Sequence, residues 1–141
     1  MNARCILSAG LAAVMLSGCG IAYGIKRDEM LRNATEADFG PRPPANHEET
    51  EKNLVLERLK DPESARFKSV DKIKNTAIQT GFASPTPVLV WITAIGVNAK
   101  NGYGGYTGFQ YYGFAWKDNK VIAISSPAES LDGAVYWNYI E

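Results

Sequence analysis

Histidine and cysteine are scarce: the 141 residues contain one histidine, His47, and two cysteines, Cys5 and Cys19, and neither charge sign is in excess, with 15 basic and 15 acidic side chains. Each shortage excludes something. A lone histidine leaves too few ligands for most zinc sites, and no triad is available that needs a mature histidine beside a distant nucleophile. Zero net charge and a pI near 6.6 lack the basic excess that neutralises a run of phosphates, so no nucleic-acid partner is expected. Charge is also missing locally. From Thr76 to Trp116 the only charged side chain is Lys100. Length and composition otherwise fit one ordinary globular domain, and no cofactor is expected.

The first 19 residues are the most explicit. Met1-Asn2-Ala3-Arg4 is a short positive region, and Cys5 to Leu16 is an uncharged apolar run, the pattern of a secretory leader. It ends in Leu16-Ser17-Gly18-Cys19. These four residues resemble the lipobox of bacterial lipoproteins, in which small residues let the peptidase draw in an extended backbone and the thiol carries the lipid. The competing reading is an uncleaved anchor, since Cys5 to Ile25 is uncharged throughout and long enough to cross a bilayer. Cleavage before Cys19 removes only Arg4 among the charged residues and leaves a net charge of −1. It also leaves one cysteine, so no intramolecular disulfide is available and the fold must stand on its core. Several acyl chains on Cys19 make a lasting membrane anchor. Gly20, where retention at the inner membrane would call for Asp, points to the periplasmic face of the outer membrane, or to the cell membrane in a Gram-positive organism.

Residues 20–46 read as a tether, with glycines first, charges in the middle and Pro41, Pro43 and Pro44 at the end; as a free chain it would span roughly 30 Å. Within it Ile25 to Ala37 reads as a frayed helix with a narrow apolar stripe, since Met30, Leu31 and Ala34 fall at helical spacing, and Phe39 is expected to dock on the domain. A helix is expected from Asn46, as N-cap with Glu49 at N3, to about Lys60, burying Leu54, Val55, Leu56 and Leu59. Asp61-Pro62-Glu63-Ser64 then caps a second short turn before Phe67 opens extended structure. Val88 to Val97 is apolar on both alternating faces, as a central strand would be, and Pro85 and Pro87 stand before it. Phe109 to Trp116 and Val121 to Ser125 form a hairpin about Asp118-Asn119. Ser126 to Glu129 reads as a capping box for a short helix, and Ala134 to Ile140 as a last strand.

Chemistry is sparser. Seven of the 15 aromatic residues lie between Tyr103 and Trp116. Alternation puts Tyr112, Phe114 and Trp116 on one face, expected against the helix, and Phe109 and Tyr111 on the other beside Gly113 and Ala115. The loop Lys100 to Gly108 lacks the glycine spacing of a dinucleotide site and the Gly-Lys-Ser/Thr ending of a P-loop, and it leads into a strand, so it offers no phosphate cradle. Two readings remain. Its glycines permit a long turn, with positive φ at Gly104 or Gly105, or Lys100, Tyr103, Tyr106 and Phe109 form a contact surface for a glycan or peptide. Lys60, Arg66, Lys68, Lys72 and Lys74 add a local basic excess suited to headgroups, an acidic partner or plain solvation. Asp61 with Glu63, and Glu129 with Asp132, are carboxylate pairs that nothing distinguishes from caps.

Asp38-Phe39-Gly40-Pro41, Leu59 to Phe67 with its Asp61-Pro62-Glu63-Ser64-Ala65 turn, and Val97 to Gly108 with its Asn98-Ala99-Lys100-Asn101 start, are similar to a group of small bacterial lipoproteins and exported proteins. The resemblance covers about Asp38 to Val121 and implies a fold but no activity, catalytic residue or metal. The expected architecture is α+β: an N-terminal helix packed on a small antiparallel sheet of three to five strands, preceded by a lipobox signal peptide and a flexible tether. The expected organisation is signal peptide 1–18, lipidated Cys19 and tether 19–46, and globular domain 47–141. The expected role is a lipid-anchored, non-enzymatic binding or structural component. Its partners are the membrane and an envelope protein or peptidoglycan; the alternatives are a subunit of a larger envelope assembly and a cell-envelope hydrolase.

Overall fold

The computed structural model of the chain describes residues 24–80, 86–125, 127–128 and 137–140. The fold is α+β. Five strands, β1 (Arg66–Thr80), β2 (Thr86–Asn98), β3 (Gln110–Lys117), β4 (Lys120–Ser125) and β5 (Trp137–Tyr139), form one antiparallel sheet in sequence order. Each strand pairs with the next, so every connection closes locally. Asp118 and Asn119 both take positive φ, at 50° and 63°, as the two-residue hairpin between β3 and β4 requires.

Alternation sorts the sheet's two faces. On the inner face Leu89, Trp91, Ile95 and Val97 of β2 join Phe114 and Trp116 of β3 and Ile124 of β4 in the main core. On the outer face Ile78, Val90, Ala115 and Ala123 form a second, smaller cluster. Both faces of β2 are thus buried, which accounts for its uninterrupted apolar run. Pro87 lies within β2, opposite Gln79 of β1, and not before it. It is tolerated because β3 pairs with β2 only from Trp91 onward, so the proline occupies a stretch with a strand on one side.

Two helices cover the inner face. In α1, residues 24–33, Met30 and Leu31 pack against the main core together with Ala34 just beyond. In α2 (His47–Leu56), Val55 and Glu51 are fully buried, while Leu54 and the following Leu59 are partly so. The helix stops at Leu56, short of the expected Lys60, and turns that bring Arg58 N to Val55 O and Leu59 N to Leu56 O finish it. Asn46 makes no side-chain cap, because its φ and ψ of −95° and 22° leave the extended region from which a cap reaches back. The Asp61 cap does form: its side chain accepts from Ser64 N at the 3.3 Å of a weak bond, with Pro62 opening the turn.

The stretch expected to be a free tether is packed from residue 24 onward. Arg27 donates from Nε to Ala77 O (3.1 Å) and from Nη2 to Thr76 Oγ1 (3.2 Å), pinning α1 to β1. A 3-10 turn, Glu36–Phe39, follows; the Asp38 carboxylate closes it by accepting from Thr35 N and Oγ1, which hold it below its ordinary pKa. Phe39 is buried against Trp91, ring centroids 5.7 Å apart, Trp91 Nε1 donates to Gly40 O (3.0 Å), and Arg42 lies 5.0 Å over the same indole. Gly40 is required there, since at φ 77° a Cβ would stand 2.8 Å from Asp118 Oδ1. Phe39 docks as expected, whereas the bonds of Arg27 to β1 could not be read from the narrow apolar stripe of this segment. The lipobox, the Ser126 to Glu129 box and residues 134–136 of the last expected strand lie outside the described residues, apart from Pro127 and Ala128.

Phe39→Ala should therefore cost about 3–5 kcal/mol, as for other large aromatics truncated in a core. Urea unfolding of the full chain checks this; an unchanged midpoint would mean that residues 36–42 do not pack.

Candidate functional site

Two polar constellations stand out, one buried and one exposed. The buried one joins α2 to the sheet. Trp116 Nε1 donates to Thr93 Oγ1 (2.8 Å), the Thr93 hydroxyl donates to Glu51 Oε1, and His47 Nδ1 lies 2.8 Å from the same oxygen. The His47 ring also meets Trp116 edge-on, 6.4 Å between centroids. Glu51 and Thr93 are essentially without exposed surface, and Glu51 Oε2 finds no donor among the described residues. The order is hydroxyl, carboxylate, imidazole, so the histidine does not touch the hydroxyl it would have to activate. Reading the sequence for an apolar stripe passed over Glu51. The signal available was its spacing of i, i+4 from the sole histidine on the helix face that carries Val55. Nearby, Ser69 of β1 holds Glu48 below its ordinary pKa, tying the first turn of α2 to the sheet edge.

The exposed constellation is built on the loop after β2. Asn101 organises it: its Oδ1 accepts from Tyr103 N (2.9 Å) and Gly105 N (3.1 Å), its own N donates to Gly105 O (2.8 Å), and its O accepts from Gly104 N (3.0 Å). Gly104 turns the chain at φ 83° and Gly108 at 98°, whereas Gly105 does not take positive φ. The other wall is the Asp61 to Ser64 turn. Ser64 Oγ accepts from Lys100 N (2.9 Å) while donating to Asp61 O (2.8 Å), and Ser64 O accepts from Tyr106 Oη (3.1 Å). The Asp61 to Ser64 turn and the loop after β2 thus meet through one serine, across 36 residues of chain.

The four residues expected to form a contact surface are all exposed, Tyr103 fully so and Tyr106 and Phe109 by 40% and 38%. The structure brings Arg66 and Lys68 of β1 beside the loop's own Lys100. Arg66 lies 4.6 Å and Lys100 5.9 Å from the Tyr106 ring centroid, and Lys68 lies 6.0 Å from that of Phe109. Each such pair is worth about 0.5–1 kcal/mol at an exposed site and fixes where the ring lies. Gly96 leaves the room for this. A Cβ on it would stand 3.1 Å from Tyr111 Cε1 and 3.4 Å from Phe109 Cδ1, so both rings lie over the bare backbone of β2. Tyr112, Phe114 and Trp116 point to the inner face as expected; burial raises the pKa of the Tyr112 phenol, against the opposing effect of Arg58. Among the described residues no group of three or more His, Cys, Asp or Glu is placed to hold a metal ion.

No protein-family model matches the chain, and no curated protein or solved structure is similar to it.

Thr93→Val leaves Trp116 Nε1 without a partner and Glu51 Oε1 with His47 alone, which should cost about 1–3 kcal/mol beyond any change in packing. Thr93→Ser keeps the hydroxyl and should lose only about 1 kcal/mol for the missing methyl; equal losses in urea unfolding would show that the network contributes nothing. In the loop, Gly104→Val should cost about 1–3 kcal/mol for its strained φ and Gly105→Val clearly less. Tyr103→Ala should stay within about 0.5 kcal/mol of wild type. Thermal unfolding of the three variants orders them.

Proposed function

We propose that the chain is a lipid-anchored protein of the bacterial envelope, held by acyl chains on Cys19 at the periplasmic face of the outer membrane. In this reading it works as a binding component through the surface of Lys100, Tyr103, Tyr106 and Phe109. The observation that carries the binding role is the gathering of these exposed rings with Arg66, Lys68 and Lys100 stacked against two of them. Exposed tyrosines are rigid and amphipathic and lose little entropy on contact, so they suit recognition. The anchor rests on Leu16-Ser17-Gly18-Cys19 after the apolar run. Among the described residues no helix is long and apolar enough to cross a membrane.

The alternatives gain less support. A hydrolase would need its nucleophile within reach of substrate, yet the hydroxyl linked to the sole histidine through Glu51 belongs to Thr93, 1% exposed. An assembly subunit joined through Val88 to Val97 would need that strand open, yet β3 already pairs with it from Trp91 onward, leaving a strand on one side alone only before Trp91.

Cys19→Ser should abolish incorporation of a radiolabelled fatty acid and leave the chain unprocessed or soluble. Labelling that persists in this variant would remove the anchor.

A further inference from the structure

The exposed face at the start of β1 and the end of β2 has a chemistry that specifies its ligand. Lys60, Arg66, Lys68 and Lys100 all reach it, Lys60 with its Nζ 3.6 Å from where a Cβ on Gly102 would be. Among the described residues none of these four is ion-paired, although Arg42 and Lys52 elsewhere have carboxylate partners. Four cations without counter-charges call for an anionic ligand.

The rings decide its class. Tyr106 is tied down through its hydroxyl to Ser64 O, and Phe109 rests over Gly96, so neither stands out as a wedge for a lipid surface. Each keeps more than a third of its surface exposed beside the cations. A peptide would need a groove or a free strand edge, and the nearest edge, β1, carries Lys68, Lys72 and Lys74. A sugar ring lays its C–H face on an aromatic face while its carboxylate meets a guanidinium or ammonium group.

Position favours the same choice. Arg27 fastens the N-terminal helix at Thr76 and Ala77, whose partners are Val90 and Leu89, whereas Arg66 stands opposite Asn98. Eight residues of β2 at about 3.3 Å each put those places about 26 Å apart. The platform therefore lies at the other end of the β1–β2 pairing from the place where Arg27 fastens the N-terminal helix.

We propose that Lys60, Arg66, Lys68, Lys100, Tyr106 and Phe109 form a site for a carboxylated glycan strand, a deepening that rests on the binding-surface reading above. Full-length chain in detergent micelles, and its Cys19→Ser form, should both be retained on an immobilised polyuronate, released by salt, and pass through neutral dextran. Arg66→Glu with Lys68→Glu should weaken retention at least tenfold and Tyr106→Leu several-fold, while Lys72→Glu with Lys74→Glu, on the same strand outside the platform, should change it less than twofold. Equal losses for the two charge-reversed pairs would overturn the site in favour of diffuse charge. So would binding to phosphatidylglycerol vesicles without retention on polyuronate. A photo-crosslinker replacing Tyr103 separates the two readings. Crosslinks in cells to a protein alone would overturn the glycan and leave the contact surface standing, whereas no crosslink together with no retention would remove both.

Discussion

The Glu51 side chain is fully buried between α2 and β2, and because a buried polar group is costly without partners, its bonds dictate how the helix sits on the sheet. Thr93 supplies a hydroxyl from β2, Trp116 supplies the N–H that saturates that hydroxyl from β3, and His47 closes the group from one turn earlier in α2. One helix and two strands are held in a single register by four side chains.

The exposed site depends on that arrangement indirectly. With α2 fixed, the chain leaving it delivers the Asp61 to Ser64 turn beside the end of β2, where Ser64 bonds both Lys100 and Tyr106. The long β1–β2 pairing does the rest, since it sets Arg66 opposite Asn98 and Lys68 opposite Gly96, on the face where the loop's rings come down. A glycine at position 96 turns a strand interior into a floor for Tyr111 and Phe109. Cations and rings separated by some 40 residues thereby become one surface.

Much of the framework was legible beforehand. The hairpin at Asp118 and Asn119, the faces of β3 and the double burial of β2 all follow from period-two alternation and from turn residues that accept positive φ. Exposure of Lys100, Tyr103, Tyr106 and Phe109 agrees with a contact surface built on the glycine-rich loop. Less legible were α1, whose apolar stripe is narrow and whose docking relies on the Arg27 guanidinium, and Glu51, whose charge argued for solvent. The cap expected of Asn46 failed for a similar reason: residue type permits a cap, but backbone direction, set by the docked Pro43 and Pro44 segment, decides whether it forms.

The sequence by itself determined that Val88 to Val97, Phe109 to Trp116 and Val121 to Ser125 lie in strands, where β3 turns into β4, that β2 is apolar on both faces and that one histidine cannot form a cluster. These are consequences of neighbours a few residues apart, and local sterics and hydrophobic spacing are enough to specify them. Only the tertiary structure decided that Glu51 is buried, that Ser64 joins turn to loop, that Arg66 and Lys68 lie on the rings of Tyr106 and Phe109, and that α1 arrives at the opposite end of the sheet. Each of those depends on groups brought together across tens of residues, and a local pattern contains no measure of that distance.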